Sequence, residues 1–594
     1  MEISELLSRL LLALNVVKVF EPQEPGPVAD LGFAKYRGAH DAGGQTSHFL
    51  GIKYAEAARF DHAHLYEEEL PQVQDATRFG PSCPQLVSNS IFAPDPFGLS
   101  RLIAFLLARP RVQRILKRSE DCLFINIYRP RNESLKDLPV LFYIHGGGFE
   151  TGSSSSAIYE LTAIPGFAYH GSRLVRRSMR MGQPMIVATI NYRLAHFGFS
   201  ASREMRQAGL LNLGFEDQRV ALHWVQQHIA AFGGDPAKVV IAGQSAGAIS
   251  VTAHMLANDG HHQGLFRGAI GMSGAMTPTD GPERQQKTFD ELVEFVGCNY
   301  AADKVDCLRR VPVDKIEQHM HAMGSGLGYS SLALQWNLRA DGRFFNQSLD
   351  RLAVTGRVAP VPVIYGCMVD EGTLFNLFNS LILLTTKQVK TYLRKVFWPA
   401  ATDKHLDRLM ELYPQSPRKG SPYGTGLLYA IPPQYKRLSS LIGDYFFEAS
   451  RLLWTTRRLL LANVTASRWN YQIEAALPLP GLVTRVLEQL GFTSVTTAPI
   501  PQLGSFHAAD LVGYVFGGLS EEVSANTRNI MSAIVSFTNK LDPNHGGELP
   551  HWPQWDIDKK LTMRFGESRF DVIEDTYRDK QMSYMSSIRD SLRI

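Results

Sequence analysis

The sequence is poor in the features that would have placed it at a glance. Cysteine occurs only 5 times in 594 residues, too sparsely for a small disulfide-stapled scaffold, and the odd count leaves at least one thiol unpaired. Neither sign of charge is in excess: 61 Lys and Arg stand against 57 Asp and Glu, a net +4, which excludes the basic footprint of a nucleic-acid binder. No apolar run approaches the roughly 20 residues of a membrane span, and Asn379 and Ser380 interrupt the greasiest stretch, Leu374 to Leu384. There is no internal repeat, no low-complexity tract and no Pro/Ser/Gly-rich linker. The last residues, Arg589 to Ile594, carry no lipid-anchor signal.

What remains is ordinary globular composition, 44% hydrophobic and 20% charged, enough for a substantial core. Without linkers, residues 31–594 read as one large domain with long excursions, preceded by a segment 1–30. In that segment Leu10 to Val17 is apolar, but Glu2 and Glu5 precede it and no Ala-x-Ala follows, so it reads either as a weak secretory leader or as an amphipathic helix. Sequons at Asn132, Asn346 and Asn463 are compatible with glycosylation on a secretory route. The localisation expected is secretory or extracellular, with an intracellular protein as the alternative.

Strand-sized apolar runs recur at 139–144, 185–190, 239–242 and 361–365, and between them Phe215 to Phe232 has Val220, Trp224, Val225 and Ile229 on one helical face. Buried β-branched runs alternating with helices predict an α/β fold with a mostly parallel central sheet. In such sheets ligands sit beyond the carboxyl ends of the strands, where the informative motifs fall.

After the run 239–242 comes Gly243-Gln244-Ser245-Ala246-Gly247, then the helix-compatible 248–255. Strand, G-x-S-x-G, helix is the setting of a nucleophilic serine on a strained turn, with small neighbours so that backbones can approach closely. His145-Gly146-Gly147-Gly148-Phe149 follows the run ending at Ile144. Its bare backbone can present N–H groups to a developing oxyanion, with Gly147, Gly148 and Ala246 as the expected donors. Serine needs a base and an orienting carboxylate further along the chain. Asp370 and Glu371 both qualify as the acid, and among His405, His507, His545 and His551 the best placed is His507, between a turn and the apolar segment 511–516.

Taken together these strings resemble the carboxylesterase type B family, which includes cholinesterases and fungal lipases. Glu120 to Tyr128, Phe232 to Pro236, Gly243 to Gly247, Asn191 to Arg193 and Asn212 to Arg219 match its signatures. Gly420 to Gly426 and Gly504 to Asp510 are most similar to fungal lipases and sterol esterases of the Candida rugosa lipase type. The resemblance implies an α/β-hydrolase fold and a serine ester hydrolase with Ser245 as nucleophile, Glu371 as acid and His507 as base, working without metal or cofactor. It also implies disulfides Cys83–Cys122 and Cys298–Cys307, leaving Cys367 as a small buried hydrophobe. Two departures stand out. Gln244 replaces the more usual glutamate before the nucleophile, removing a charge beside the imidazolium that forms during attack, with a shift in rate or pH optimum. His145 stands where those lipases often carry an apolar residue, a tilt toward shorter or more polar esters.

Within 83–122, Leu99, Leu102, Ile103, Leu106 and Leu107 follow the spacing of one helical face, flanked by Arg101, Arg109, Arg111, Arg114, Lys117 and Arg118. The resemblance implies that this segment is a lid that could open onto a lipid interface in transient contact; the alternative is a fixed helix packed on the core with a solvated charged flank. The substrate expected is an acyl ester of lipid or sterol; the alternatives are a carboxylesterase for short-chain or secondary-metabolite esters and a non-catalytic cholinesterase-like binding domain.

Overall fold

The computed structural model describes residues 25–41, 43–86, 118–155, 169–323, 328–355, 357–377, 379–460, 466–476, 503–516, 525–546, 549–567 and 569–594. The N-terminal apolar segment, the lid stripe at 99–107 and the sequon at Asn463 lie outside the described residues.

Seven strands form the parallel centre of a 13-stranded sheet: β1 (Leu138–Ile144), β2 (Ile186–Ile190), β3 (Gly234–Gln244), β4 (Gly268–Met272), β5 (Val363–Met368), β6 (Arg468–Ile473) and β7 (Leu561–Phe565). Their order is β2-β1-β3-β4-β5-β6-β7, every neighbour parallel. Antiparallel strands extend both edges, Phe124–Pro130 against β2 and Phe570–Glu574 against β7.

The continuous apolar runs are explained by burial on both faces, since β1, β2 and β5 are buried at every residue. The alternation of a strand divides them between two cores. Val140, Phe142 and Ile144 pack with Trp224 and Val225 of α2 (Leu213–His228) and Val251 and Met255 of α3 (Ala246–Gly260). Leu141 and Tyr143 face the other way, toward Leu174 and Val175 of α1 (Ser172–Arg180) and Ile534 and Phe537 of α4 (Ala525–Lys540). A third apolar cluster, which includes Cys367, Phe375, Leu438 and Phe447, gathers the helical excursion after β5 beside the carboxyl end of that strand.

Two boundaries differ from the sequence reading. The helix expected over 215–232 begins at Leu213 and gives way to a 3-10 turn at Ile229–Phe232, because the chain reverses at Gly233, φ 83°. The strand expected over 239–242 runs from Gly234 to Gln244, since Gly234 also pairs with Leu138 of β1 across an irregularity before Val239, and Gly243 and Gln244 pair with Gly271 and Met272 of β4.

Candidate active site

β3 ends at Gln244 and α3 begins at Ala246, so Ser245 must make the whole turn, at φ 57° and ψ −123°. That backbone is strained for a residue with a Cβ, and it is held from both sides. The Ser245 N–H donates to the Met272 carbonyl at 2.9 Å, and its own carbonyl accepts from Ile249 N–H at 3.0 Å. Glycine is obligatory two residues on, because a Cβ on Gly247 would overlap the Ile144 carbonyl oxygen.

The loop after β1 turns through Gly147, φ 103°, and Gly148, φ 64°. Gly147 is pinned as its carbonyl accepts from the N–H groups of Glu150 and Thr151, both at 3.0 Å. The loop lies directly against the serine, since a Cβ on Gly146 would stand 2.9 Å from Ser245 Cβ. Gly147, Gly148 and Ala246 are thereby brought into one neighbourhood. His145 turns away from it: its ring is buried, stacks on Tyr192 at 4.3 Å and gives its Nδ1–H to the Gly146 carbonyl at 2.8 Å. Burial pushes this imidazole down to about 4, so it is a neutral aromatic wall at ordinary pH.

The loop after β5 separates the two carboxylates that spacing left open. Glu371 Oε2 accepts from His507 Nδ1 at 2.6 Å, and its Oε1 accepts from the Met368 N–H at 2.8 Å. Asp370 faces elsewhere: Oδ1 accepts from Ser421 Oγ at 2.7 Å and Tyr423 N–H at 2.9 Å, and Oδ2 from Ser505 N–H at 3.1 Å. Asp370 ties together three chain segments, one of which carries His507. The other candidate histidines lie apart from this cluster. His405 takes part in a helix cap with Thr402, His545 pairs with Asp542, and His551 is exposed.

Two features escaped sequence reading. Phe375 and Phe447 enclose the His507 ring, with centroids 5.1 and 4.5 Å away; aromatic residues spread through an apolar excursion give no sign of this. Asp510, three residues beyond His507, is fully buried, and among the described residues its Oδ2 has no hydrogen-bond partner. Burial, then the nearby Glu371 charge, pushes its carboxyl up to about 7. Gln244 stands beside the base as the sequence reading expected: His507 Nε2 lies 3.2 Å from Gln244 Nε2, and among the described residues it makes no hydrogen bond to Ser245 Oγ. Glu371, His507 and Gln244 are all at most 5% exposed, whereas Ser245 is partly open.

Cys83 is bonded to Cys122 and Cys298 to Cys307, and Cys367 is a free, buried thiol raised by burial and by the Glu448 and Glu371 charges. Among the described residues no group of three or more His, Cys, Asp or Glu could hold a metal ion, and no helix is long and apolar enough to cross a membrane.

Residues 31–585 match the family model described as the carboxylesterase family. Lipase 4 of Diutina rugosa is 36% identical over 85% of this chain and 86% of its own length. A secreted triacylglycerol lipase, LIP1, of Gibberella zeae is 33% identical over 92% of this chain and 87% of its own. Among solved structures, Aspergillus niger EstA superposes with a TM-score of 0.74 at 25% identity, covering 96% of this chain and 99% of that one.

Proposed function

The chain belongs to the carboxylesterase family, has the α/β-hydrolase fold and is a carboxylic ester hydrolase; we propose that it cleaves acyl esters of lipids through Ser245, His507 and Glu371. The observation that carries the reading is the 2.6 Å contact between Glu371 and His507 at the strand ends that also present the G-x-S-x-G turn.

In this scheme His507 Nε2 leaves Gln244 and takes the proton of Ser245 Oγ as that oxygen bonds to the ester carbonyl carbon. Glu371 fixes the tautomer with hydrogen on Nδ1 and stabilises the imidazolium that forms. The carbonyl oxygen becomes an oxyanion held by the N–H groups of Gly147, Gly148 and Ala246, each such donor contributing about 3 kcal/mol. The intermediate collapses, the C–O bond to the alcohol breaks, and the alkoxide leaves with the proton from Nε2. Water attacks the acyl-enzyme after giving a proton to His507, and the acid and free serine are released. His507 activates serine and water in turn, so no step calls on a metal or organic cofactor.

The lipid class is proposed from the relatives named as lipases. The Cys83–Cys122 bond, closing a 39-residue separation, supports 83–122 as a lid borne on one catalytic domain, 31–594. Secretion is supported by two disulfides, by exposed sequon residues at Asn132 and Asn346, and by relatives named as secreted.

The test is hydrolysis of p-nitrophenyl esters from acetate to palmitate by wild type and Ser245→Ala, below and above the solubility limit. Serine-dependent turnover that rises with chain length and jumps at the interface is expected. A preference for soluble short esters removes the lipid assignment, and turnover undiminished in Ser245→Ala removes the nucleophile.

A further inference from the structure

Gln244 does more than fill the position before the serine. Glu371 is a buried acceptor 2.6 Å from Nδ1, so the hydrogen of a neutral His507 ring sits on Nδ1 and Nε2 carries a bare lone pair. The group facing that lone pair at 3.2 Å is the Gln244 side-chain nitrogen, which can only donate. Both residues are buried, Gln244 at 2% exposure, so water competes poorly for the contact. With the amide in this orientation, the bond is possible only while Nε2 is unprotonated. A proton on Nε2 would set two N–H groups against each other.

We propose that Gln244 is a positioning residue whose amide N–H caps Nε2 of His507 in the resting enzyme, holding the base unprotonated and away from Ser245 until the serine hydroxyl takes its place. The effect is to extend the working range to the acid side, at the cost of a less willing base on the alkaline side. A glutamate of the same shape would do the reverse, since its carboxylate bonds Nε2 only after protonation.

The other groups around the ring do not supply this cap. Glu371 is spent on Nδ1 and Met368 N–H. Asp510 acts on the ring only through space. Phe375 and Phe447 offer faces without acceptors. Glu448, next to Phe447, is paired with Arg451 at 2.8 Å, and the neutral His145 is committed to Tyr192 and Gly146.

The inference rests on the roles proposed for Ser245 and His507, and its experiment keeps the two apart. The pH dependence of kcat/KM on p-nitrophenyl acetate is measured for wild type, Gln244→Met, Gln244→Glu and Ser245→Ala, with Tm confirming the fold of each. The acid-limb midpoint is expected to rise in the order wild type, Gln244→Met, Gln244→Glu, the last by about one unit. The Gln244→Glu enzyme should be the slower at acid pH and the faster at alkaline pH. Where turnover is too slow to follow, the pH dependence of organophosphonate labelling of Ser245 gives the same midpoint. Serine-dependent activity with superimposed pH profiles would overturn the role of Gln244 alone, and so would folded variants that fail to label at any pH. Undiminished turnover by Ser245→Ala would overturn the reading beneath it.

Discussion

Asp370 and Glu371 are neighbours in the chain with divided tasks: Glu371 Oε2 lies 2.6 Å from His507 Nδ1, while Asp370 Oδ1 lies 2.7 Å from Ser421 Oγ. One carboxylate faces the base and the other ties the loops that carry it.

The two should therefore fail differently. Glu371→Gln keeps the shape but loses the charge that steadies the imidazolium, and kcat is expected to fall on the order of 10³- to 10⁴-fold with Tm little changed. Asp370→Asn loses acceptor capacity in a buried network and should cost about 1 to 3 kcal/mol of stability. Chemical denaturation and ester turnover on both variants check this; a larger turnover loss in Asp370→Asn than in Glu371→Gln would reverse the assignment.

The oxyanion role of the glycine loop is testable through its backbone. At φ 103° and with Thr151 O in the way, an alanine at Gly147 must shift the loop. Gly147→Ala is expected to lower kcat about 10²- to 10³-fold, with a smaller change in KM. A fall in affinity alone, with kcat intact, would contradict it.

Asp510 makes stability depend on pH in a stated direction. Its carboxyl is raised from 3.8 to about 7, so the folded protein holds this proton more tightly than the unfolded chain does. Below the unfolded value both states are protonated and no penalty exists. Between the two values the unfolded chain gains stability by ionising, and the penalty on folding grows until it levels off above the folded value. The Tm advantage of Asp510→Asn over wild type should therefore widen from about pH 4 to about pH 7 and then hold constant. Parallel Tm curves across that range would show that Asp510 is not so shifted.

The disulfides differ in the length of chain they close, 39 and 9 in sequence separation. Loop-closure entropy assigns about 4 kcal/mol to Cys83–Cys122 and about 3 kcal/mol to Cys298–Cys307. Replacing each pair by alanine and comparing denaturation midpoints should find the first loss the larger. Non-reducing peptide mapping of native protein should recover both bridges, with Cys367 alone as thiol.

The sequence by itself determined the sheet, the serine turn and the glycine loop, for one physical reason. Strand runs at 139–144 and 185–190, Ser245 between Gly243 and Gly247, and the loop 145–149 are local: their requirements for burial, tight turning and close backbone approach are met by residues a few positions apart. The choice between Asp370 and Glu371 was not local. Both follow the same strand, and only the arrival of His507 on one and of Ser421, Tyr423 and Ser505 on the other separates them. The same holds for the partner of the base. That Gln244, not Ser245, faces Nε2, and that Phe375 and Phe447 enclose the ring, depend on chains up to 263 positions apart meeting at the ends of β3, β5 and β6. No spacing rule reaches across such distances, because side-chain direction there is set by the packing of the whole sheet.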